Sequence, residues 1–183
     1  MDDVVLKKNS AGFRVKPRGT RARINLFEGE MTRFSLGRRF KLAIAPFRPL
    51  CHLTTVAEQL RFLECVREHL VPDGRLVFDV FNPNLAMLAA GISPDEVEDT
   101  PELILSDSSR LRRTYRVVRR RPSEQCNDVE LIYYLDGRRI VQPFPFRYFF
   151  RFELEHLLAR SGYEVTALFG HSTVRRFRMT PRK

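Results

Sequence analysis

RRFKLAIAPFRPLCHLTTVAEQLRFLECVREHLVPDGRLVFDVFNP, residues 38–83, reads as strand, loop, helix, turn and strand in that order. Phe40 to Ala45 is a short apolar run that stops at Pro46, which has no N–H to continue a ladder. From Val56 the apolar residues Val56, Leu60, Leu63, Val66 and Leu70 recur at helical spacing. Pro72-Asp73-Gly74 is a turn signal, and Arg75 to Val80 is a second apolar run of strand length. A strand–helix–strand unit predicts two parallel strands joined by a right-handed crossover, and so an α/β fold. Parallel sheets bind ligands outside the carboxyl ends of their strands. Those ends are Pro46–His52 and Phe81–Asn84, two loops expected to line a small-molecule cleft.

The remaining sequence extends this plan in both directions. Residues 9–22 read as a basic Gly/Pro loop. Pro83–Ala90 opens a helix, and Pro94–Pro101 is an acidic loop. Leu111–Arg119, Val129–Leu135 and Arg138–Phe146 read as three strands, the last two joined at Asp136-Gly137, a strong hairpin signal. Phe149–Ser161 is an amphipathic helix with Gly162 at its end, and Tyr163–Phe169 is a further strand. Ser172–Lys183 has almost no strand pattern.

With 183 residues, 43% hydrophobic and 30% charged, the chain is long enough for a real core and reads as a single domain over 1–183. Three cysteines without a CxxC pair, Cys51, Cys65 and Cys126, argue against a disulfide framework and against a zinc site, so no metal is expected. No apolar run is long enough to span a bilayer, and Met1–Lys8 has no signal-peptide core; a cytoplasmic protein without membrane contact is expected. The net charge of +10 raises a nucleic-acid reading, with arginine crowded at Arg110–Arg121 and Arg175–Lys183. Solvated strand faces and a basic tail account for the same charge, and apart from Tyr115 the stretch lacks aromatics at base-stacking spacing.

Four segments in order resemble class I S-adenosylmethionine-dependent methyltransferases. Arg23-Ile-Asn-Leu-Phe-Glu-Gly-Glu-Met31 resembles the family's third strand and its acidic loop, and Phe40–Phe47 the fourth strand and the segment facing the transferred methyl. His69-Leu-Val-Pro-Asp-Gly-Arg-Leu-Val-Phe-Asp79 resembles the helix–turn–fifth strand signature. Arg151-Phe-Glu-Leu-Glu-His-Leu-Leu-Ala-Arg-Ser-Gly-Tyr-Glu-Val165 resembles the late helix and sixth strand. The resemblance implies a Rossmann-like methyltransferase sheet, with an antiparallel meander inserted at about 111–147 over the acceptor pocket. It also implies S-adenosylmethionine as cofactor. Met1–Lys8 resembles the helix after the family's second strand, and the first two strands and glycine-rich turn have no counterpart, since none of the nine glycines forms a Gly-x-Gly. The expectation is an N-terminally incomplete sheet.

By the same resemblance, Glu30 takes the place of the acid that bonds the adenine amino group, a sound pairing of acceptor and N–H donor, and the Met31 backbone brackets the adenine edge. A surface or capping acid is the other reading of Glu30. Ala45, Pro46 and Phe47 take the place of the segment beside the methyl group, Phe47 being either a cofactor contact or plain core. Arg48 is the candidate to bind an acidic acceptor, against a solvent-facing loop arginine. His52 is the candidate base for an acceptor that must lose a proton, against a structural histidine near the helix cap. Asn82, Arg147 and Tyr148 are the further acceptor-side candidates, and Lys41 stands where the family usually has aspartate. Three functions remain: a methyltransferase acting on a small-molecule acceptor, a catalytically silent relative, and a basic nucleic-acid-binding module on the same scaffold. The oligomeric state is not legible.

Overall fold

The computed structural model of the protein describes residues 3–7, 24–83 and 85–170. Residues 9–22 and Ser172–Lys183, read above as a loop and a tail, lie outside the described residues.

The unit that opens the sequence forms as expected. Strand β3 (Phe40–Ala45) and strand β4 (Leu70–Phe78) pair in parallel through helix α1 (Val56–Glu68). The Pro72-Asp73-Gly74 turn does not precede β4 but sits inside it. The register moves from Phe40↔Leu70 to Leu42↔Arg75, so three extra residues bulge out, with Asp73 left-handed at φ 61°. Gly74 is required there: a Cβ on it would stand 2.8 Å from the Val71 carbonyl oxygen and 3.1 Å from that of Phe40. Helix α1 starts at Thr55, whose side chain accepts from the Glu58 N–H while the Glu58 carboxylate reaches back to the Thr55 N–H.

The buried stripe of α1 is Gln59, Phe62, Leu63, Cys65 and Val66, so Val56, counted in the apolar pattern, faces solvent. Gln59 belongs in the core because its Nε2 donates to the Leu53 carbonyl at 2.8 Å. Phe62, Leu63 and Val66 of this stripe make one core cluster with Leu50, Cys51, Leu53, Leu70, Phe149 and Leu158. Ala43 and Ala45 of β3 and Leu76 and Phe78 of β4 pack on it. The opposite face of the pair, carrying Leu42, Ile44 and Val77, is exposed.

The meander is a four-stranded antiparallel sheet rather than the three strands expected: β5 (Val97–Ile104), β6 (Arg110–Arg121), β7 (Cys126–Leu135) and β8 (Arg138–Arg147). The acidic stretch read as a loop runs into β5. Its acids meet arginines of β6 across the strand pair: Asp99 with Arg113 at 2.9 Å, Glu102 with Arg110 at 3.3 Å and Glu98 with Arg112 at 3.8 Å. The hairpin at Asp136-Gly137 is present, with both residues at positive φ.

Helix α2 (Leu85–Ala89) follows β4, and α3 (Arg151–Arg160) follows β8. Gly162 closes α3 at φ 78°, with its N–H on the Ala159 carbonyl and that of Tyr163 on the Leu158 carbonyl. Tyr163–Phe169 forms no strand. Side chains hold the segment instead: Tyr163 donates its hydroxyl to the Leu63 carbonyl at 2.8 Å, and Val165 packs on the core. The helix expected in Met1–Lys8 is also corrected. Asp3–Lys7 is strand β1, paired in parallel with β2 (Ile24–Glu28), as its Val4-Val5 pair favours. This pair is a separate sheet and does not bond to β3.

Candidate functional site

The carboxyl ends of β3 and β4 meet the inserted sheet. Beyond Ala45 and Pro46 the chain turns through two left-handed residues, Phe47 at φ 65° and Arg48 at φ 59°. A left-handed backbone is strained for residues with a Cβ, and successive ones are uncommon. Asp79, just past β4, secures the turn by accepting the Arg48 N–H at 3.1 Å. The Phe47 ring is 89% exposed. The Arg48 guanidinium lies 3.8 Å from the Asp79 carboxylate and 5.6 Å over the Phe81 ring.

A 3₁₀ turn follows at Pro49–His52 and buries Leu50 and Cys51 completely. The Cys51 sulfur accepts the Phe81 N–H at 3.3 Å, tying the loops after β3 and β4 together. Burial pushes its thiol up to about 11, so it stays protonated and unreactive at neutral pH. His52 is itself exposed, yet its ring rests on Phe144 at 5.3 Å and Phe146 at 5.5 Å between centroids. Phe146 in turn contacts Phe81 at 5.8 Å. The β3 loop, the β4 loop and strand β8 therefore converge on an aromatic cluster that carries an imidazole.

Glu30 stands after β2, apart from this cluster in the chain's sheet order. Its carboxylate accepts the Thr32 hydroxyl at 2.8 Å and pairs with Arg33 at 3.0 Å. The Thr32 hydroxyl first, then Arg33, hold it below the ordinary carboxylate range. An ionised carboxylate has lone pairs left for a further N–H donor, so Glu30 fits the adenine amino group. Met31 packs toward the core. The segment after it is fastened to α1 by His69, whose Nε2 accepts the Leu36 N–H at 3.1 Å while Nδ1 bonds the Cys65 carbonyl at 2.7 Å. A backbone N–H only donates and a carbonyl only accepts, which assigns His69 the neutral Nδ1–H tautomer.

The cofactor's two ends are not served alike. Glu30 and the exposed Phe47 ring suit an adenine and a methyl-bearing sulfonium, but the sequence has no Gly-x-Gly turn to bring backbone N–H groups to the ribose and methionine. The residues present fit part of S-adenosylmethionine and not the whole. Among the described residues no group of three His, Cys, Asp or Glu side chains is placed to hold a metal ion.

Of the acceptor-side candidates, Asn82 is exposed beyond β4. Tyr148 is 4% exposed, its ring edge-on to Phe150 at 5.8 Å. Arg147 has an 11% exposed side chain, and its guanidinium is paired with Glu153. The candidate list omitted Asp79, Glu153, Phe81, Phe144 and Phe146. Asp79 had a signal, an acid at the carboxyl end of a parallel strand; the aromatic residues of β8 had none, because only the fold lays that strand beside His52.

The charge is largely paired within the inserted sheet. Arg116 meets Glu130 at 2.7 Å and Arg121 meets Asp128 at 2.9 Å, alongside the β5–β6 pairs above. Arg139 and the Thr114 and Tyr134 hydroxyls converge on Glu96, whose pKa falls to about 2 with the Thr114 bond the largest cause. No helix among the described residues is long and apolar enough to cross a membrane.

No family model matches the chain, and no curated protein matches it. Solved structures do. DesVI of Streptomyces venezuelae aligns over 87% of this chain and 65% of its own, with TM-score 0.65 and 21% identity. The chain has the fold of the class I S-adenosylmethionine-dependent methyltransferases. KedS8 of Streptoalloteichus, a sugar N-methyltransferase, aligns over 84% of this chain and 60% of its own, with TM-score 0.62 and 22% identity. CalS10 of Micromonospora echinaspora, an amino pentose methyltransferase solved with its cofactor bound, aligns over 84% and 62%, with TM-score 0.60 and 23% identity. The methyltransferase-fold chain described here thus spans less than two thirds of the length of these structures.

Proposed function

We propose that the protein is an S-adenosylmethionine-dependent methyltransferase of one domain acting on a small-molecule acceptor. The carrying observation is the convergence of the strained Phe47–Arg48 turn with His52, Phe81 and the β8 aromatics at the carboxyl ends of two parallel strands. The sugar and amino pentose methylations ascribed to KedS8 and CalS10 support the class of acceptor. Methyl transfer from a sulfonium is an in-line displacement that rests on positioning, so the site needs no triad. In this reading Glu30 and the Met31 backbone hold the adenine, and Ala45, Pro46 and Phe47 flank the methyl group. His52 takes the proton of the acceptor, and Arg48 and Asn82 contact it.

Nuclear magnetic resonance titration with S-adenosylhomocysteine tests the placement even when binding is weak. Amide shifts confined to Glu30–Arg33 and Ala45–Arg48, and abolished by Glu30→Ala, are the expected result. Shifts elsewhere refute it, and none at millimolar ligand favours the catalytically silent relative.

A catalytically silent relative is the second reading; these 183 residues hold no Gly-x-Gly turn, and they span 60% of KedS8 and 62% of CalS10. Each lost hydrogen bond to ribose and methionine removes about 0.5–1.5 kcal/mol, and more where charge is involved. The chain as given is therefore expected to bind S-adenosylmethionine weakly or not at all, and to transfer no methyl group. Calorimetric titration checks this. Micromolar affinity lost in Glu30→Ala means that the cofactor is held without such a turn, and the enzyme reading then prevails.

A further inference from the structure

We propose that Arg147 is a positioning residue and not an acceptor ligand: with Glu153 and Gln125 it sets the loop that carries His52. The functional part of this rests on the reading of His52 as the acceptor-side base.

Arg147 ends β8, and its guanidinium binds three separate pieces of chain. One arm donates to the Glu153 carboxylate on α3 and to the Gln125 side-chain carbonyl at 3.4 Å. The other reaches the Thr54 carbonyl at 3.5 Å, two residues past His52. Its carbon lies 5.1 Å over the Phe149 ring. The partners are bound to one another as well. Gln125 Nε2 donates to Glu153 at 2.8 Å, and the Gln125 carbonyl accepts the Tyr148 N–H at 2.9 Å. Gln125 holds a left-handed backbone, φ 52°, in the turn before β7.

His52 is gripped from both sides by the same strand. Its ring rests on Phe144 and Phe146 of β8, and the loop beyond it is held by Arg147 at the end of β8. The next residues continue the grip, since the Phe149 N–H donates to the Phe81 carbonyl at 3.0 Å. A guanidinium this enclosed cannot be released cheaply to a ligand, because freeing it leaves the Glu153 carboxylate half-buried without its partner. The planar fork also suits three fixed acceptors in a way that a lysine ammonium does not.

The test is made on the chain itself, without cofactor, so its outcome is independent of whether the protein methylates anything. Histidine ring resonances of the wild type, Arg147→Met, Arg147→Lys and Gln125→Ala are compared. The Phe144 and Phe146 rings displace the His52 signal from that of free histidine in the wild type. Arg147→Met is expected to remove most of that displacement, with Arg147→Lys and Gln125→Ala intermediate. The His69 signal and the Leu36 amide, at the far end of α1, stay in place. A His52 signal unchanged in a folded Arg147→Met protein overturns the proposal. If Arg147→Met loses the His69 signal too, it has unfolded, and the same criterion is applied to Arg147→Lys and Gln125→Ala: an unmoved His52 in both overturns the proposal.

Discussion

Phe47 sets a strained backbone at the carboxyl end of β3. Its left-handed backbone costs a residue with a β-carbon about 1–2 kcal/mol, and its outward ring recovers little of that by burial. Phe47→Gly is expected to stabilise the chain by about 0.5 kcal/mol net, once the extra freedom of glycine in the unfolded state is counted. Denaturant unfolding decides it, and a loss of stability would mean that the ring packs somewhere important. The cysteines give a second residue-scale expectation. All three are buried, and burial is the first cause raising each thiol: Cys51 to about 11, Cys65 and Cys126 in the same direction. A thiol reagent at pH 8 should label the native chain far more slowly than the unfolded one; rapid labelling without denaturant contradicts that burial. At this scale the sequence showed which residue types follow the carboxyl end of β3, Arg48 and His52 among them. It could not show that Asp79 takes up Arg48, or that Glu153 takes up Arg147, because those partners are 31 and 6 positions away.

Strand β4 and the β5–β6 pair carry the element-scale expectations. Gly74 sits against backbone oxygens that cannot move aside, so Gly74→Ala should destabilise by about 1–3 kcal/mol, as overpacking does. A change within experimental error in urea unfolding would show that the bulge reshapes freely. Glu96 links β5 to Thr114, Tyr134 and Arg139, and its folded pKa of about 2 lies below the ordinary value of 4.5. A lowered carboxyl pKa adds stability that is present above the unfolded value and is lost as pH falls toward the folded one. Stability should therefore drop between about pH 4.5 and pH 2, and Glu96→Gln should flatten that part of the curve; an unaltered acid limb argues against the network. The β3–α1–β4 unit, the β7–β8 hairpin and α3 were legible because local patterns specify them: apolar spacing, Asp-Gly and Gly162. Strand β5 was not legible, since an acidic stretch reads as loop until the arginines of β6 are laid beside it. The Tyr163–Phe169 strand was misread for the converse reason. Tyr163 and Val165 are partly buried by side-chain docking rather than by a ladder, and Phe169 is 48% exposed.

Taken whole, the molecule presents edges of opposite character. The inserted sheet has Pro101 in one edge strand and Pro143 and Pro145 in the other, and proline offers no N–H to a further strand. Among the described residues β3 bonds to β4 alone, and the face beside its open edge carries Leu42, Ile44 and Val77, with Ile44 64% exposed. Parallel sheets are ordinarily covered on both faces, so the chain should self-associate with rising concentration. Sedimentation should show this association reduced in Ile44→Lys with the melting temperature little changed. A monodisperse wild-type monomer would count against an open edge. What the sequence determined by itself was the α/β class, the parallel pair and the presence of an inserted meander, because spacing, turn residues and proline act over a few neighbouring positions. The tertiary structure alone decided which sheet each strand joins, that the charge of β6 is answered by β5 and β7, and that His52 meets β8. Those depend on residues brought together from distant parts of the chain, and only packing selects among the partners that charge and polarity allow.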